Sequence, residues 1–428
     1  MIPDTILDEV RNAIITSPQP STRSGDSAVA YGIVKVNRGL GKQKAGIRTK
    51  HIEIKLPLGS SYRSGDYMMI LPVNDCTTVR RVLKRFDLSP NDKVSTAGIL
   101  DTFSLTGGPI SVLDLLTTYL ELRTAISQGQ IVTLIDSTPP TSRERLAKLL
   151  ADDTYEKYVL SKRSSILDIL EKHPECELSF ADYIDMIEPI KAQRYNISSA
   201  PAANIKIVPT THGMAPQLKA SLTYHAYSES VWPNTDSRFF DASLTYLAGL
   251  DPGDRVRFFI RSADTRFRLP INPTTPIILV CADIGLAAMR GFIQERAIIR
   301  KAHRITLGPA ILYFGCEHHR EDYIYQDELT NWEVDGVVSV RPCFSRVGPL
   351  GCYKYIPDRM WAERKELAFM FLARDVRILM CGSAGKLTKS VADVCKNIWL
   401  SSHGQKTEQD SEMWFQGVKV EHHESHIL

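Results

Sequence analysis

Apolar and polar positions alternate over three early stretches, Tyr31 to Val36, His51 to Leu56 and Tyr67 to Leu71, the last following the turn Ser64-Gly65-Asp66. A period of two puts every second side chain on one face, so Ala28 to Pro72 predicts the start of an antiparallel barrel. Ahead of it, Ile6, Leu7, Val10 and Ile14 recur at helical spacing, and the polar run Ser17 to Asp26 reads as a linker. From about Thr77 to Glu188 the period becomes helical: Val112, Leu115, Leu116, Tyr119 and Leu120 line one face, and Ile166, Ile169 and Leu170 another. Alternation resumes at Ile205 to Tyr227 and at Val256 to Leu269, after the turn Asp251-Pro252-Gly253-Asp254, so a helical insertion interrupts the barrel.

After Pro270 the pattern changes to strand, helix, strand. Strands are expected at Ile277 to Val280, Ala310 to Phe314, Val337 to Val340 and Val376 to Met380, with helices at Gly285 to Ile299 and about Leu387 to Leu400. That order predicts a doubly wound domain, and the fold class is α/β plus an antiparallel β-barrel. From Ser401 the chain reads as a polar tail, in which His422 and His426 have the i, i+4 spacing of a helical metal pair or simply belong to a frayed end.

Composition narrows the function more than the fold. With 52 basic against 49 acidic residues in 428, nothing favours nucleic acid or an anionic membrane as a partner. No run reaches membrane-spanning length, and Asp4, Asp8 and Glu9 do not suit a secretory signal, so a cytoplasmic protein is expected. The eight cysteines lack paired metal spacing, which predicts reduced thiols and no metal site.

The most informative stretch is Ile277 to Phe292, a buried strand leading through a small-residue turn into a helix, the geometry that offers helix amides to a phosphate. Gly285 is the one glycine in that turn, and Asp283 stands either as a helix N-cap or as a carboxylate that repels a diphosphate.

Several strings resemble the FAD/NADPH half of diflavin reductases, within the ferredoxin-NADP reductase-like proteins. They are Arg194-Tyr195-Asn196-Ile197-Ser198-Ser199-Ala200-Pro201, Met289-Arg290-Gly291-Phe292, Tyr313-Phe314-Gly315-Cys316, Glu321-Asp322-Tyr323-Ile324-Tyr325, Phe344-Ser345-Arg346 and Met380-Cys381-Gly382. The nearest likeness is to reductase portions fused to haem monooxygenases, and it covers nearly the whole chain without the FMN domain that precedes this half there. The resemblance implies an FAD-type barrel (27–76 and 189–270) with a helical connecting insertion (77–188). An NADP-type domain (271–428) follows, and 1–26 leads in. It implies FAD and NADPH as cofactors, with Arg194, Tyr195, Ser198, Ser199, Tyr246, Gly285, Ser345 and Arg346 as binding residues. Ser345 and Arg346 match the positions that grip the 2′-phosphate. Cys381 and Asn196 fall at the hydride-transfer positions, and Tyr195 and Tyr246 either touch the flavin or pack the core.

This chain departs from the family pattern at the cofactor positions. The family's FAD arginine is shifted by one residue to Arg194, its serine is Asn196, and the glycine of its second FAD loop is Asp241. The threonine of the nucleotide turn is Ile284, the aspartate after Cys381-Gly382 is Ser383, and a glutamine position is Pro357. Three functions follow: an FAD-dependent NADPH reductase serving an electron-accepting partner; an altered oxidoreductase acting on a small molecule of a biosynthetic pathway; or a cofactor-independent isomerase, cyclase or dehydratase, or a binding protein, in the vacated cleft. In the last, Asp241, Asp283 and His225 are the acid and base candidates.

Overall fold

Strands form where alternation is cleanest. In the computed structural model, which describes residues 29–41, 47–94, 109–211, 213–227, 246–264, 266–303, 305–373, 375–382 and 386–423, the first half builds on an antiparallel sheet. The strands in chain order are β1 (Ala30–Gly39), β2 (Ile47–Lys55), β3 (Tyr67–Leu71), the two-residue β4 (Lys93–Val94) and β5 (Ile110–Ser111), β6 (Gln193–Asn196), β7 (Ile205–Thr210), β8 (Gly213–Tyr227) and β9 (Arg255–Arg261). All but β4 and β5 join one seven-stranded sheet in the order β6-β3-β9-β1-β2-β8-β7. On β2, Ile52 and Ile54 are fully buried while Glu53 and Lys55 are partly exposed, as a period of two requires. Past edge strand β6 the chain turns inward. Ile197 pairs with Leu222 of β8, and the Ser198 amide donates to the Ser221 carbonyl at 2.7 Å, so the sheet curls back on itself.

The insertion holds α1 (Cys76–Arg85), α2 (Val112–Thr118), α3 (Gln128–Asp136), α4 (Arg143–Ala147), α5 (Ile166–Lys172) and α6 (Phe180–Asp185), with β4 and β5 paired among them. Serines 111, 127, 165 and 179 each cap a helix by accepting from the amide three residues on. Leu116, Ile131, Leu134, Leu167 and Leu170 fill the space between the helices.

The second half carries β10 (Ile277–Ala282), α7 (Leu286–His303), β11 (Ala310–His318), α8 (Gln326–Val334), β12 (Ser339–Val347), α9 (Ile356–Ala362), α10 (Arg364–Phe371), β13 (Arg377–Gly382), α11 (Lys386–Ser402), α12 (Glu408–Val418) and β14 (Lys419–His423). Its five strands are all parallel, in the order β12-β11-β10-β13-β14. The chain runs outward from β10 to β12 and then returns to the other side of β10. This makes the carboxyl ends of β10 and β13 the switch point, where such sheets leave a crevice.

Two expectations change. The polar tail is ordered to His423: Thr407 and Asp410 form a capping box, and Trp414 of α12 meets Phe371 at 4.7 Å and stacks on Trp399 at 5.5 Å. The chain then adds β14 to the sheet, so the helical histidine pair is not formed over the described part, and His426 lies outside the described residues. Strand β12 begins at Ser339 and extends to Val347, because a parallel edge strand tolerates the polar positions Arg341, Ser345 and Arg346 that hide it from a hydropathy reading. The amino-terminal helix also lies outside the described residues.

A buried polar network joins the two sheets. Arg290 of α7, 7% exposed, donates to the Ser198 carbonyl at 2.6 Å and is paired through Nε and Nη2 with the Glu328 carboxylate, at 2.7 and 3.1 Å. Its guanidinium lies 4.6 Å from the centre of the Tyr325 ring. The Tyr325 hydroxyl in turn meets His51 Nδ1 of β2 and Thr223 Oγ1 of β8, each at 2.8 Å. Tyr325 holds a left-handed backbone (φ 56°), a strain the network sustains. Burial, followed by Arg290 and Arg38, pushes the His51 imidazole down to about 4.

Two outcomes follow. Tyr325→Phe leaves His51 and Thr223 without their shared partner and should lower unfolding free energy by about 1–3 kcal/mol, read by urea denaturation at pH 7.5. Because His51 is depressed in the folded state, its contribution is complete above pH 6.5 and is lost as pH falls through 4. Stability should therefore drop across that window in the native protein, by up to about 3 kcal/mol, and His51→Gln should flatten this component of the curve.

Candidate functional site

The geometry of the site begins where β10 ends. Ala282 leads into the turn Asp283–Gly285, and α7 starts at Leu286. Gly285 is required by close approach: a Cβ there would lie 2.5 Å from the Cys381 carbonyl oxygen, so the turn packs directly on the backbone of β13. Asp283 does not cap the helix. It adopts φ 51°, and its Oδ2 sits 2.8 Å from His225 Nε2 on β8. His225 Nδ1 is 3.3 Å from Thr49 Oγ1 of β2, so the imidazole bridges the antiparallel sheet and the turn. The reason lies in the partner sheet, which brings a basic ring within reach of a carboxylate that would otherwise turn back onto its own amides.

These residues line a cleft of about 670 Å³ between β2 and β8 on one side and the carboxyl ends of β10, β11 and β12 on the other. Ile356, Pro357 and Leu387 contribute apolar surface, and Ser345, Arg346, Lys354 and Tyr355 a hydroxyl, two cations and an aromatic ring. Glu317 holds Arg346 at 3.0 Å. Asp322 spends its carboxylate on the amides of Glu317 and His318, at 2.8 and 2.6 Å, and so shapes the loop after β11. Cys316 and Cys343 also line the cleft, and burial raises both thiols, Cys343 to about 12, which disfavours the reactive thiolate.

A second locus lies at the seam of the two sheets. Asn196, at the end of β6, and Cys381, near the end of β13, are 6% and 3% exposed, and the Asn196 amide nitrogen lies 3.5 Å from the Cys381 sulfur. The other sequence-picked residues of the antiparallel half mostly pack its core. The Arg194 guanidinium lies 4.0 Å from the centre of the Tyr67 ring. Tyr195 is in the sheet's core, its ring edge-on to Tyr224 at 6.3 Å. Ser198 and Ser199 are fully buried, and Ser199 Oγ accepts from the Ser221 amide at 3.0 Å and meets the Tyr62 hydroxyl at 2.9 Å. Tyr246 packs against the same core and reaches the Arg255 carbonyl at 3.5 Å. Asp241 and Ser383 lie outside the described residues.

Sequence reasoning did not single out Thr49, Glu317, Lys354 or Tyr355. Lys354-Tyr355 had a usable signal, a cation and an aromatic just past the Gly348-Pro349 and Gly351 turn residues that follow Ser345-Arg346. Thr49 had none, since it is one position of an ordinary alternating strand.

Comparison with known proteins adds a lineage. The FAD binding domain family matches residues 27–211. A bifunctional cytochrome P450/NADPH–P450 reductase of Acremonium egyptiacum is 36% identical over 383 residues, covering 89% of this chain and 34% of that protein. A self-sufficient cytochrome P450 monooxygenase of Phanerodontia chrysosporium is 37% identical over 384 residues, with the same two shares. Bifunctional cytochrome P450/NADPH–P450 reductase 1 of Bacillus subtilis is 34% identical, covering 94% of this chain and 36% of its own. The chain thus spans about a third of the length of the curated relatives it matches.

Gly285→Ala tests how the turn is built. The added methyl collides with backbone, so the variant should lose about 1–3 kcal/mol of stability in chemical denaturation, whereas Gly59→Ala, where a Cβ would meet no atom within 4 Å, should lose less despite its own left-handed backbone.

Proposed function

We propose that this chain, whose residues 27–211 match the FAD binding domain family, is a divergent oxidoreductase of the diflavin-reductase lineage that uses FAD and NADPH and acts on a small molecule of a biosynthetic pathway. The observation that carries this reading is the 3.5 Å approach of Asn196 to Cys381. It joins the two sheets at the positions that the family resemblance assigns to hydride transfer. Bound together, the two cofactors would supply hydride transfer from nicotinamide to flavin.

The donor set fits part of that chemistry. Ser345, Arg346 and Lys354 line one cleft and can hold the phosphorylated ribose of the nucleotide, with Glu317 fixing the arginine. Arg194, beside the Tyr67 ring, lies two residues from Asn196, which keeps a donor where the family has a hydroxyl, whereas Tyr195, Ser198, Ser199 and Tyr246 are taken up by the core of the antiparallel sheet and would reach a flavin only if that packing opened. At the diphosphate turn the set does not fit, because Asp283 presents a carboxylate where amides alone are wanted. Electron delivery to a separate protein and a cytoplasmic setting belong to the same proposal. No helix among the described residues is long and apolar enough to cross a membrane.

A second reading rests on the Asp283–His225 pair beside a roomy cleft. An imidazole held by a carboxylate is a serviceable general base, which suits a cofactor-independent isomerase, cyclase or dehydratase.

The absorption spectrum of the purified protein after addition of excess FAD and removal of the unbound portion separates the two. The first reading expects a retained flavin band and NADPH-driven reduction of ferricyanide. A protein that stays colourless, with no reduction at any NADPH concentration, overturns it and leaves the second. In the active case Arg346→Ala should raise the KM for NADPH about tenfold with kcat little changed, because the lost contact is remote from the reacting carbon.

A further inference from the structure

We propose that this cleft penalises the diphosphate of a dinucleotide relative to a singly phosphorylated nucleotide, so that NADPH would be held through its phosphorylated ribose and not through its diphosphate, with Asp283 as the discriminating residue and His225 as the side chain that holds it. The inference rests on the nucleotide reading of the cleft and specifies what that cleft admits.

The turn after the first strand of a parallel sheet, at the switch point, is where a diphosphate meets backbone amides at a helix start. Here that turn begins with a side chain of negative charge. Its backbone sits at φ 51°, a conformation in which glycine costs least, yet the residue is aspartate. The carboxylate directs its hydrogen bond out of the turn. It projects to His225 at 2.8 Å and remains 63% exposed on the cleft wall. Thr49, at 3.3 Å from the other ring nitrogen, fixes the imidazole plane, and so the carboxylate is held where a phosphate oxygen would have to come.

The remaining acidic groups of the wall are arranged differently. Glu317 is paired with Arg346, Asp322 accepts two backbone amides, and Glu321 lies on the same loop. The cations Arg346 and Lys354 line the cleft with Ser345, on the segments around the end of β12. One phosphate can therefore be bound among Ser345, Arg346 and Lys354, while a second group reaching the β10 turn meets Asp283. Tyr355, which is exposed on the cleft, supplies an aromatic face on which a base can stack.

Isothermal titration of the full chain with adenosine 2′-monophosphate and with NADP⁺ tests this directly. The native protein should bind the monophosphate at least as tightly as NADP⁺. Asp283→Asn preserves size and tolerates the left-handed backbone, so it isolates the charge; it should tighten NADP⁺ about tenfold and change the monophosphate by less than about twofold. Asp283→Gly, which also removes the backbone strain, should do the same. Arg346→Ala should weaken both ligands. Native binding of NADP⁺ tenfold tighter than the monophosphate, or NADP⁺ affinity indifferent to both Asp283 substitutions while the monophosphate still binds through Arg346, overturns the discrimination alone. Failure of both ligands to bind any of these proteins overturns the nucleotide reading together with it.

Discussion

Arg290 is the residue on which the geometry of this molecule turns. A guanidinium removed from water is tolerated only when its donors are matched, and here they are: two to the Glu328 carboxylate, one to the Ser198 carbonyl, with the Tyr325 ring against its face. Ser198 belongs to the antiparallel half, Arg290, Glu328 and Tyr325 to the parallel half. Through the Tyr325 hydroxyl the network reaches β2 and β8 as well. The network fixes how the two sheets meet, and with that it fixes the cleft and the Asn196–Cys381 seam together.

Two ion pairs near the site illustrate how burial decides meaning. In Arg290–Glu328 the guanidinium is withdrawn from solvent while the carboxylate stays partly exposed, so removal of Glu328 would strand a buried charge. Asp283–His225 is not comparable, since the carboxylate is well exposed and such a pair adds little to stability. Its consequence is positional. It plants a negative charge at the mouth of a cleft whose other wall carries two cations, and a ligand has to satisfy both.

The fold was largely legible. Ile52 and Ile54 against Glu53 and Lys55, the helical run around Leu115 and Leu116, and the Ile277–Val280 core strand each announce their element through periodicity, because burial of one face is a local demand on the sequence. Legibility failed where burial is partial. Edge strand β12 carries Arg341, Ser345 and Arg346, and the ordered end of the chain hides Trp414, Phe415 and Val418 among charged neighbours, so neither shows a clean period. Of the residues that match family strings, Ser345 and Arg346 line the cleft, and Asn196 and Cys381, 185 positions apart in the chain, meet at the seam.

By itself the sequence determined the order of the strands and helices and the presence of a carboxylate at the turn after β10, since each depends only on residues near one another in the chain. The tertiary structure decided what that carboxylate does. Asp283 as a free helix start would bond its own amides; with His225 58 positions away brought to 2.8 Å, it turns outward instead. Thr49 and Lys354 joined the cleft in the same way. Their local patterns carry no mark of it, because the contacts that give them a role exist only once the two sheets are packed together.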